Sequence, residues 1–310
     1  MSLLAIDLGG TRLRAAWYDE SLQQIARTET KTHAEEGPGA VIERVLATAR
    51  EVVPRGETPS AIGMSTPGPM DARRGVILHS FALPGWQDVP LAAIVSRAFD
   101  GAPTFAENDG NVGPLAEYHL GAGQGANPMI YMTISTGIGG GVIIDGKLFT
   151  GWSGHAAEPG HMQFIDDEGQ VRRLEELASG TALGRLAAHK LATWPGETSL
   201  RDVTIIDGAA VGRAARAGDA LALDVVEAAG RYLGLALVNL LHLFSPEAVV
   251  LGGSVTQLGD LIFTPARAVI DERVLDPAFV PPSFIRMAQL GDDVCLIGAA
   301  LYAQQRRDDR

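Results

Sequence analysis

The sequence predicts an α/β protein of two domains that share a cleft, and two observations support that prediction. The chain has 310 residues, about twice the length expected of a single domain. Apolar strand patterns alternate with helical patterns, and glycine-rich turns separate two of the strand pairs. Apolar residues make up 46% and charged residues 20% of the chain, so both domains can bury a sizeable core.

The composition argues against several classes of function. Lys and Arg total 25 against 37 for Asp and Glu, a formal net charge of −12, whereas nucleic acids and anionic membranes attract basic surfaces. The single cysteine, Cys295, cannot form an intrachain disulfide or join a cysteine cluster for zinc. The N-terminus lacks the basic stretch of a signal peptide, and no apolar run approaches the roughly 18 residues of a membrane span. We therefore expect a cytoplasmic protein without a nucleic-acid or membrane partner.

The first half is predicted to begin with a hairpin. An apolar strand over residues 3–8 leads through Gly9-Gly10 into a second strand at Leu13, Ala15 and Trp17. Residues 65–69 are predicted to lie outside the preceding strand, because two prolines there lack backbone donors. The other predicted elements are helices at 39–53, 91–99 and 111–120 and strands at 61–64 and 104–106.

The second half repeats the order of strand, glycine-rich turn and strand, and we interpret the two copies as parts of similarly built halves. Its strands are predicted at 129–134 and 142–144, with the turn at Gly137–Gly141. We place the domain boundary near Glu117 and expect the last helix to return to the smaller first domain, which gives α/β domains of 1–116 with 295–310 and of 117–294. The remaining elements are helices at 182–191, 220–243, 262–274 and 295–306 and a strand at 248–251 before Gly252-Gly253.

Both glycine turns could bind phosphates, since a backbone without Cβ atoms can approach phosphate oxygens and donate its N–H groups. An ordinary hairpin turn is the alternative for Gly9-Gly10. Residues 135–141 are stronger evidence for a phosphate site than Gly9-Gly10, because three consecutive glycines are entropically costly and seldom occur in an ordinary turn. No GxxxxGK[ST] motif is present, which excludes a P-loop. Residues 121–126 fit a dinucleotide pattern by letter but follow a helix, so we predict a linker.

Two acidic positions follow predicted strands. Asp7 could hold a water-coordinated magnesium ion beside phosphates, although an aspartate that initiates a turn is equally expected. In Glu107-Asn108-Asp109, the carboxylate of Asp109 could take a proton from a hydroxyl that attacks phosphorus, and Asn108 could bind a sugar hydroxyl. Helix capping is the alternative for this segment.

Three polar residues in the second half are further candidates. Glu158 and His161 could bind hydroxyls or contribute to a metal site, although His161 could equally be a structural histidine. Glu175 and Glu176 begin a predicted helix, where acidic residues also favour the positive end of the helix dipole.

Together, these motifs resemble the ROK family of sugar kinases and repressors. The resemblance covers residues 3 to about 303 and implies an actin/hexokinase-type (ribonuclease H-like) two-domain fold with a central cleft. The segments that match the family in order are Asp7-Leu8-Gly9-Gly10-Thr11, Glu107-Asn108-Asp109, residues 135–141, Glu158-Pro159-Gly160-His161, Leu174-Glu175, residues 179–183 and Gly252-Gly253.

The resemblance implies a role for each matching residue. Asp109 matches the catalytic base, and Asn108, Glu158, His161 and Glu175 match ligands of the sugar hydroxyls. Gly68 lies in a Pro-Gly-Pro loop that lines the sugar site. The nucleotide side is implied at Asp7, Gly9, Gly10, Thr11, Thr136 and Gly137 for the phosphates, with magnesium near Asp7, and at Gly252 and Gly253 for the adenosine. A homodimer is implied as well.

The sequence departs from the family in two places. The family's zinc site combines the histidine that matches His161 with three cysteines, but residues 162–173 contain none, so we expect no zinc. His161 would then be oriented by backbone or by Asp166 or Asp167. The second departure is Ala82, where the family commonly has an asparagine that touches the sugar. The methyl group lacks the amide's donor and acceptor, which makes a substrate other than plain glucose conceivable.

We therefore predict an ATP- and magnesium-dependent kinase for a hexose or N-acetylhexosamine, acting at the primary hydroxyl, with glucose as the leading substrate. Two alternatives stay open: a catalytically degenerate sugar-binding or sensing protein, and a polyphosphate-dependent glucokinase. A transcription regulator is disfavoured, because only six residues precede Asp7 and family repressors place a DNA-binding domain there.

Overall fold

The computed structural model describes residues 2–308, which form two compact α/β units. Unit 1 holds residues 2–121, 150–156 and 292–308, and unit 2 holds residues 122–149 and 157–291. These units are groups of residues in mutual contact. Because mutual contact does not show which parts of the chain fold independently, the predicted domain boundaries stay a prediction.

Most of unit 1 comes from the first part of the chain, and its last helix comes from the chain's end. Its strands are β1 Leu3–Leu8, β2 Arg12–Tyr18, β3 Gln24–Lys31, β4 Ala61–Thr66, β5 Met70–Asp71, β6 Val76–His79, β7 Gln87–Val89 and β8 Thr104–Asn108. Its helices are α1 Gly37–Val52, α2 Leu91–Ala98, α3 Asp109–Leu120 and α9 Val294–Asp308.

The main sheet of unit 1 has the order β3-β2-β1-β4-β8. The predicted hairpin is confirmed, since β1 pairs antiparallel with β2, while β1, β4 and β8 run parallel. Asp7, Ser65 and Glu107 are register partners across these three strands and therefore lie in one row near their carboxyl ends. The prediction that Ser65 and Thr66 lie outside the strand is wrong: β4 includes both, because they still pair with β8 before the first proline.

Helix α9 packs directly on this sheet and on α3. A Cβ on Gly63 would clash with the carbonyl oxygen of Ala299, and a Cβ on Gly298 would clash with the carbonyl oxygen of Val112. Glycine at these two positions lets backbones meet without intervening side chains. The apolar contact is completed by Leu3, Ala5, Ala16, Tyr18, Ala61 and Phe105 from the sheet and by Leu296, Ala300 and Ala303 from α9.

The strands of unit 2 are β9 Met129–Ile134, β10 Ile138–Ile144, β11 Lys147–Leu148, β12 Gln163–Ile165, β13 Val171–Arg173, β14 Ala248–Gly252 and β15 Ile285–Met287. Five of them form a second sheet of order β11-β10-β9-β14-β15, and β12 and β13 form a separate hairpin. Its helices are α4 Leu174–Ala178, α5 Gly180–Leu191, α6 Gly208–Arg216, α7 Ala220–Phe244 and α8 Asp260–Arg273.

The second hairpin forms, but its turn is shorter than predicted. Gly139, Gly140 and Gly141 belong to β10 and pair with β9, so the turn spans only residues 135–137. A Cβ on Gly140 would lie 2.8 Å from Cγ of Pro159 and would clash with the carbonyl oxygen of Tyr131. Gly140 therefore permits close packing against β9 and against Pro159.

The core of unit 2 lies between its sheet and the helices. Buried residues such as Ile130, Met132 and Leu251 of the sheet pack with Leu237 and Leu241 of α7. Across residues 2–308, no helix combines the length and the apolar character that crossing a bilayer requires.

Candidate active site

Asp7 lies near the end of β1 and is held by a buried ion pair. Arg14, its register partner on β2, donates from Nε to Oδ2 at 2.9 Å and places Nη2 2.6 Å from the same oxygen. Asp7 is 5% and Arg14 8% exposed. Burial raises the pKa of Asp7, and the guanidinium of Arg14 acts against that rise. Arg14 also donates to the backbone carbonyl of Asp292, just before α9.

The turn between β1 and β2 carries Gly9 and Gly10, and the loop at Ala82 packs over it. The N–H of Gly9 donates to the carbonyl of Arg12 at 2.9 Å, which closes the turn. A Cβ on Gly10 would lie 2.8 Å from the carbonyl oxygen of Ala82 and 3.1 Å from its Cβ. Any side chain at Gly10 would therefore displace this loop, while Thr11 is exposed at the tip of the turn.

Asn108 ends β8 and Asp109 begins α3, with no loop residue between them. Asn108 caps the helix, because its Oδ1 accepts a hydrogen bond from the N–H of Gly110 at 2.9 Å. Oδ1 of Asp109 accepts from the same N–H at 2.8 Å, and the Asp109 side chain is exposed. A Cβ on Gly68 would lie 2.6 Å from Nδ2 of Asn108, so the Pro-Gly-Pro loop adjoins the amide. The capping geometry leaves the carboxylate of Asp109 accessible to a ligand.

Asp7 and Asp109 both lie within electrostatic range of Cys295, in the first turn of α9. Burial raises the pKa of the Cys295 thiol, and the negative charges of Asp7 and Asp109 raise it further. A thiol that stays protonated is a poor nucleophile and a poor metal ligand. Asp7 and Asp109 thus lie at the same edge of the sheet of unit 1, two strands apart, and the Cys295 thiol is within electrostatic range of both.

The turn between β9 and β10 holds Thr136 and Gly137, and the helices after it fix its position. Glu175, near the start of α4, accepts a hydrogen bond from the N–H of Ile138 at 2.9 Å through Oε2, and a Cβ on Gly137 would clash with that oxygen. The hydroxyl of Thr181 donates to the carbonyl of Thr136 at 2.8 Å. Glu175, predicted as a sugar ligand, therefore also braces the glycine turn.

Gly252 ends β14 and Gly253 follows it, close to the end of β9 in unit 2. Gly253 has a φ of 92°, and a Cβ there would clash with the carbonyl of Ile134, the last residue of β9. A Cβ on Gly252 would lie 3.1 Å from the hydroxyl of Tyr131. Both glycines therefore allow the carboxyl ends of two neighbouring parallel strands to come together, which is where open α/β sheets bind ligands.

A cavity of about 700 Å³ opens beside this turn, within unit 2. Thr136 and Gly180 line it together with residues of α5, α6 and the short helix after Gly253. Its volume falls within the roughly 300–1,000 Å³ of small-molecule pockets. The lining residues Asp207, Gly208, Arg213 and Arg216 were not predicted, because α6 was not predicted. Arg185 lies on the predicted helix α5 but belongs to none of the recognised motifs. The signal was present, since Asp207 precedes the apolar pattern of α6 and caps it by accepting from the N–H of Ala210 at 2.7 Å.

Glu158 and His161 flank a 3-10 turn, Pro159–His161, that packs on β10. The side chains of both residues are exposed, and the N–H of His161 donates to the carbonyl of Glu158 at 3.1 Å. A Cβ on Gly160 would clash with the carbonyl of Ile138, which explains why glycine is needed between them.

The expected support of His161 by a nearby acidic residue is not found within residues 2–308. Asp166 instead pairs with Arg172 at 3.1 Å and accepts hydrogen bonds from its own hairpin turn between β12 and β13. Asp167 lies 3.5 Å from the hydroxyl of Tyr232. The hairpin that occupies the position of the family's cysteine segment is therefore stabilised by its own side chains.

Comparison with known proteins gives a consistent result. The sequence pattern of the ROK family matches residues 3–306. A glucokinase of Thermotoga maritima is 31% identical, over 99% of this chain and 98% of its own. An N-acetylmannosamine kinase of Citrobacter koseri is 31% identical, over 98% of this chain and 99% of its own. The crystal structure of a ROK family glucokinase from Streptomyces griseus in complex with glucose and AMPPNP is 31% identical and covers 98% of this chain and all of its own, with a TM-score of 0.80.

Proposed function

Because the chain belongs to the ROK family and has its actin/hexokinase-type fold, we propose that it is an ATP-dependent kinase for a hexose or an N-acetylhexosamine. The observation that carries the proposal is the joint between β8 and α3, where the carboxylate of Asp109 is exposed beside the capping residue Asn108 and the loop at Gly68. Glucose is the leading substrate, because the relatives include glucokinases that match nearly the whole chain.

In the proposed reaction, Asp109 accepts the proton of the sugar's primary hydroxyl while the hydroxyl oxygen attacks the γ-phosphorus of ATP and ADP leaves. General-base catalysis of this kind contributes roughly 10²–10⁴-fold to the rate. We assign sugar ligands within each unit separately: Asn108 and the loop at Gly68 in unit 1, and Glu158, His161 and Glu175 in unit 2. Positioning and charge neutralisation account for most of the catalysis of phosphoryl transfer.

We assign the nucleotide to the two glycine turns and the cavity. In unit 1, Gly10 and Thr11 donate to phosphate oxygens, while Gly9, whose N–H is bonded to Arg12, shapes the turn. In unit 2, Thr136 and Gly137 donate to phosphate oxygens. Gly252 and Gly253 border the adenosine, for which the cavity of about 700 Å³ in unit 2 offers a volume suited to a small molecule. A polyphosphate chain has no base or ribose to fill such a cavity, which favours ATP as the donor.

Asp7 fits a role beside the magnesium ion that accompanies ATP. Both contacts from Arg14 fall on Oδ2, so Arg14 does not occupy Oδ1. Magnesium in phosphate sites keeps several waters and needs few carboxylates, which one buried oxygen near the phosphates satisfies. When bound, the ion neutralises phosphate charge. Asp7, oriented by Arg14, would hold a water of its coordination shell.

The test is ADP release with ATP, magnesium and a panel of sugars: glucose, mannose, fructose, N-acetylglucosamine and N-acetylmannosamine. We expect turnover with at least one sugar and a loss of roughly 10²–10⁴-fold in kcat for Asp109→Asn, with sugar binding retained. The exposed Asp100, in the turn after α2, provides a matched control, since Asp100→Asn makes the same chemical change elsewhere in unit 1.

Each other outcome has a defined meaning. Near wild-type turnover by Asp109→Asn would remove Asp109 from the role of base. Sugar phosphate formed from polyphosphate but not from ATP would reassign the donor. Sugar binding without turnover by any donor would identify a sugar-binding or sensing protein, the alternative that Ala82 suggests.

The proposal also includes a homodimer in the cytoplasm. The family resemblance supports both, and the absence of a membrane-spanning helix from residues 2–308 is compatible with this location. Analytical ultracentrifugation tests the dimer, and fractionation of cells that express the protein tests the location.

A further inference from the structure

We infer that Glu107 is a positioning residue for Asp109 and that Tyr302 of α9 holds Glu107 in place. The inference rests on the proposed kinase function, in which Asp109 is the base. It concerns a buried carboxylate that no step of the proposed reaction uses directly.

The side chain of Glu107 contacts both the end of β8 and the first turn of α3. It is 2% exposed, and its Oε1 accepts hydrogen bonds from the N–H of Asn108 at 2.9 Å and from Nδ2 of Asn111 at 3.0 Å. One acceptor thus holds both the last residue of the strand and the first turn of the helix. Asp109 lies between these two attachment points in the chain, so the path of its backbone depends on both.

The C-terminal helix supplies the third contact of Glu107. The hydroxyl of Tyr302 faces the carboxylate and acts to lower its pKa, and Arg306, one turn later, adds a favourable charge. Burial raises the pKa of Glu107, while Asn111, Asn108 and Tyr302 act against that rise. The N–H of Asn108, the amide of Asn111 and the hydroxyl of Tyr302 can all donate to it, which is the arrangement that a carboxylate needs.

Helix α9 can hold Tyr302 in a fixed position, because its packing leaves it little room to move on the sheet. At Gly63 and Gly298 the backbone of α9 meets β4 and α3 without an intervening side chain. The guanidinium of Arg306 lies over the ring of Phe105, 6.0 Å from its centroid, and adds a contact to β8. Because α9 is fixed at two backbone contacts, the position of Tyr302 is well defined. Tyr302 in turn positions Glu107, and Glu107 positions Asp109.

Loss of this network would leave two buried donors unpaired at the joint. The N–H of Asn108 and the amide of Asn111 would seek other acceptors, since unpaired buried polar groups are costly. The resulting shift would move Asp109, and a misplacement of about 1 Å in a reacting group can cost on the order of 10²-fold in rate.

The experiment compares four variants in sugar phosphorylation well below their melting temperatures. We expect kcat to fall roughly 10–100-fold in Glu107→Ala and about 3–10-fold in Tyr302→Phe. Glu107→Gln should stay within about threefold of wild type, because its carbonyl oxygen still accepts from Asn108 and Asn111. The matched control is Tyr18→Phe, which removes the hydroxyl of a second tyrosine of unit 1 that is buried and bonded to Gln24 at 3.3 Å. It should leave kcat unchanged.

A double variant separates positioning from general loss of stability. If Tyr302 acts through Glu107, then Glu107→Ala combined with Tyr302→Phe should be no slower than Glu107→Ala alone. Wild-type kcat in Glu107→Ala and Tyr302→Phe, or effects that multiply in the double variant, would overturn the inference. If Glu107→Ala does not fold, Tyr302→Phe against Tyr18→Phe still decides, since only the former should lower kcat.

Failure of the proposed function would be visible separately, as a wild-type protein that phosphorylates no sugar. Amide hydrogen exchange then tests the positioning without any substrate. Exchange at residues 108–111 should be faster in Tyr302→Phe than in wild type and unchanged in Tyr18→Phe. Equal exchange in all three proteins would refute the network.

Discussion

Replacement of Arg14 by methionine should destabilise the protein mainly by leaving Asp7 buried without its partner. The side chains of this pair are 10% and 7% exposed, and three contacts depend on Arg14: two to Oδ2 of Asp7 and one to the carbonyl of Asp292. Removal of one partner from a buried ion pair costs about 3–5 kcal/mol, because the other charge stays buried. In a protein of this size, that corresponds to a decrease in melting temperature of roughly 6–15 °C.

The destabilisation should depend on pH, and its sign follows from the pKa of Asp7. Burial raises this pKa in the folded protein above that of the unfolded chain, so the folded state binds the proton more tightly. The free energy of unfolding therefore falls as pH rises from the unfolded pKa towards the folded one, and is level above it. Without Arg14 the folded pKa rises further. The difference in the free energy of unfolding between Arg14→Met and wild type should thus be smallest near pH 4 and largest at neutral pH and above.

The assay is chemical unfolding at pH 4.5, 6 and 8, and the control is Arg12→Met on the same strand. Arg12 pairs with Asp292 at 3.2 Å, but the two side chains are 48% and 75% exposed, and such a pair contributes less than about 1 kcal/mol. Asp7→Asn in the Arg14→Met background should restore part of the stability at pH 8. A cost for Arg14→Met below about 1 kcal/mol at pH 8, or one independent of pH, would refute this reasoning.

Three further predictions concern separate features. Gly253→Ala should destabilise the protein by about 1–3 kcal/mol and raise the KM for ATP, because the φ of this residue is 92° and the new Cβ would clash with the carbonyl of Ile134. Unchanged ATP kinetics would argue against a nucleotide role for this turn. Leu237→Ala should lower the free energy of unfolding by about 2–5 kcal/mol, since this residue of α7 is fully buried. The control is Leu243→Ala: Leu243 is 73% exposed on the same helix, and its replacement should cost less than about 0.5 kcal/mol. Equal melting temperatures of the two variants would contradict the packing of α7. Ala82→Asn should lower the KM for glucose by roughly 2–10-fold through one added hydrogen bond to the sugar, and a KM that rises or stays constant would show that this loop does not reach the sugar.

The sequence predicts the first hairpin correctly because local signals agree there. The apolar pattern of residues 3–8, the Gly9-Gly10 turn and the strand after it all favour one structure. At Gly139–Gly141 local reasoning fails, since glycine also serves close packing. The position of Pro159 against Gly140 depends on chain that follows later, and nothing within the hairpin's own sequence indicates it.

The candidate site shows the same division between local and long-range information. The joint at Asn108 and Asp109 was predictable, because a strand pattern, a capping residue and a helix follow one another directly. The partners Arg14 of Asp7 and Tyr302 of Glu107 were not, although the first becomes evident once the register of β1 and β2 is known. Tyr302 lies almost 200 positions beyond Glu107 in the sequence, and no periodicity links the two.

The place of α9 in unit 1 also has a consequence for synthesis on the ribosome. Residues 2–121 leave the exit tunnel long before residues 292–308, yet α9 covers the sheet face formed by Leu3, Ala5 and Ala61. Until α9 has been synthesised and has packed, that apolar face stays open to water and to other nascent chains. Truncation before α9 should therefore yield an aggregating product in which the joint at Asp109 lacks its support, so the active fold forms only after residues 292–308 have left the tunnel.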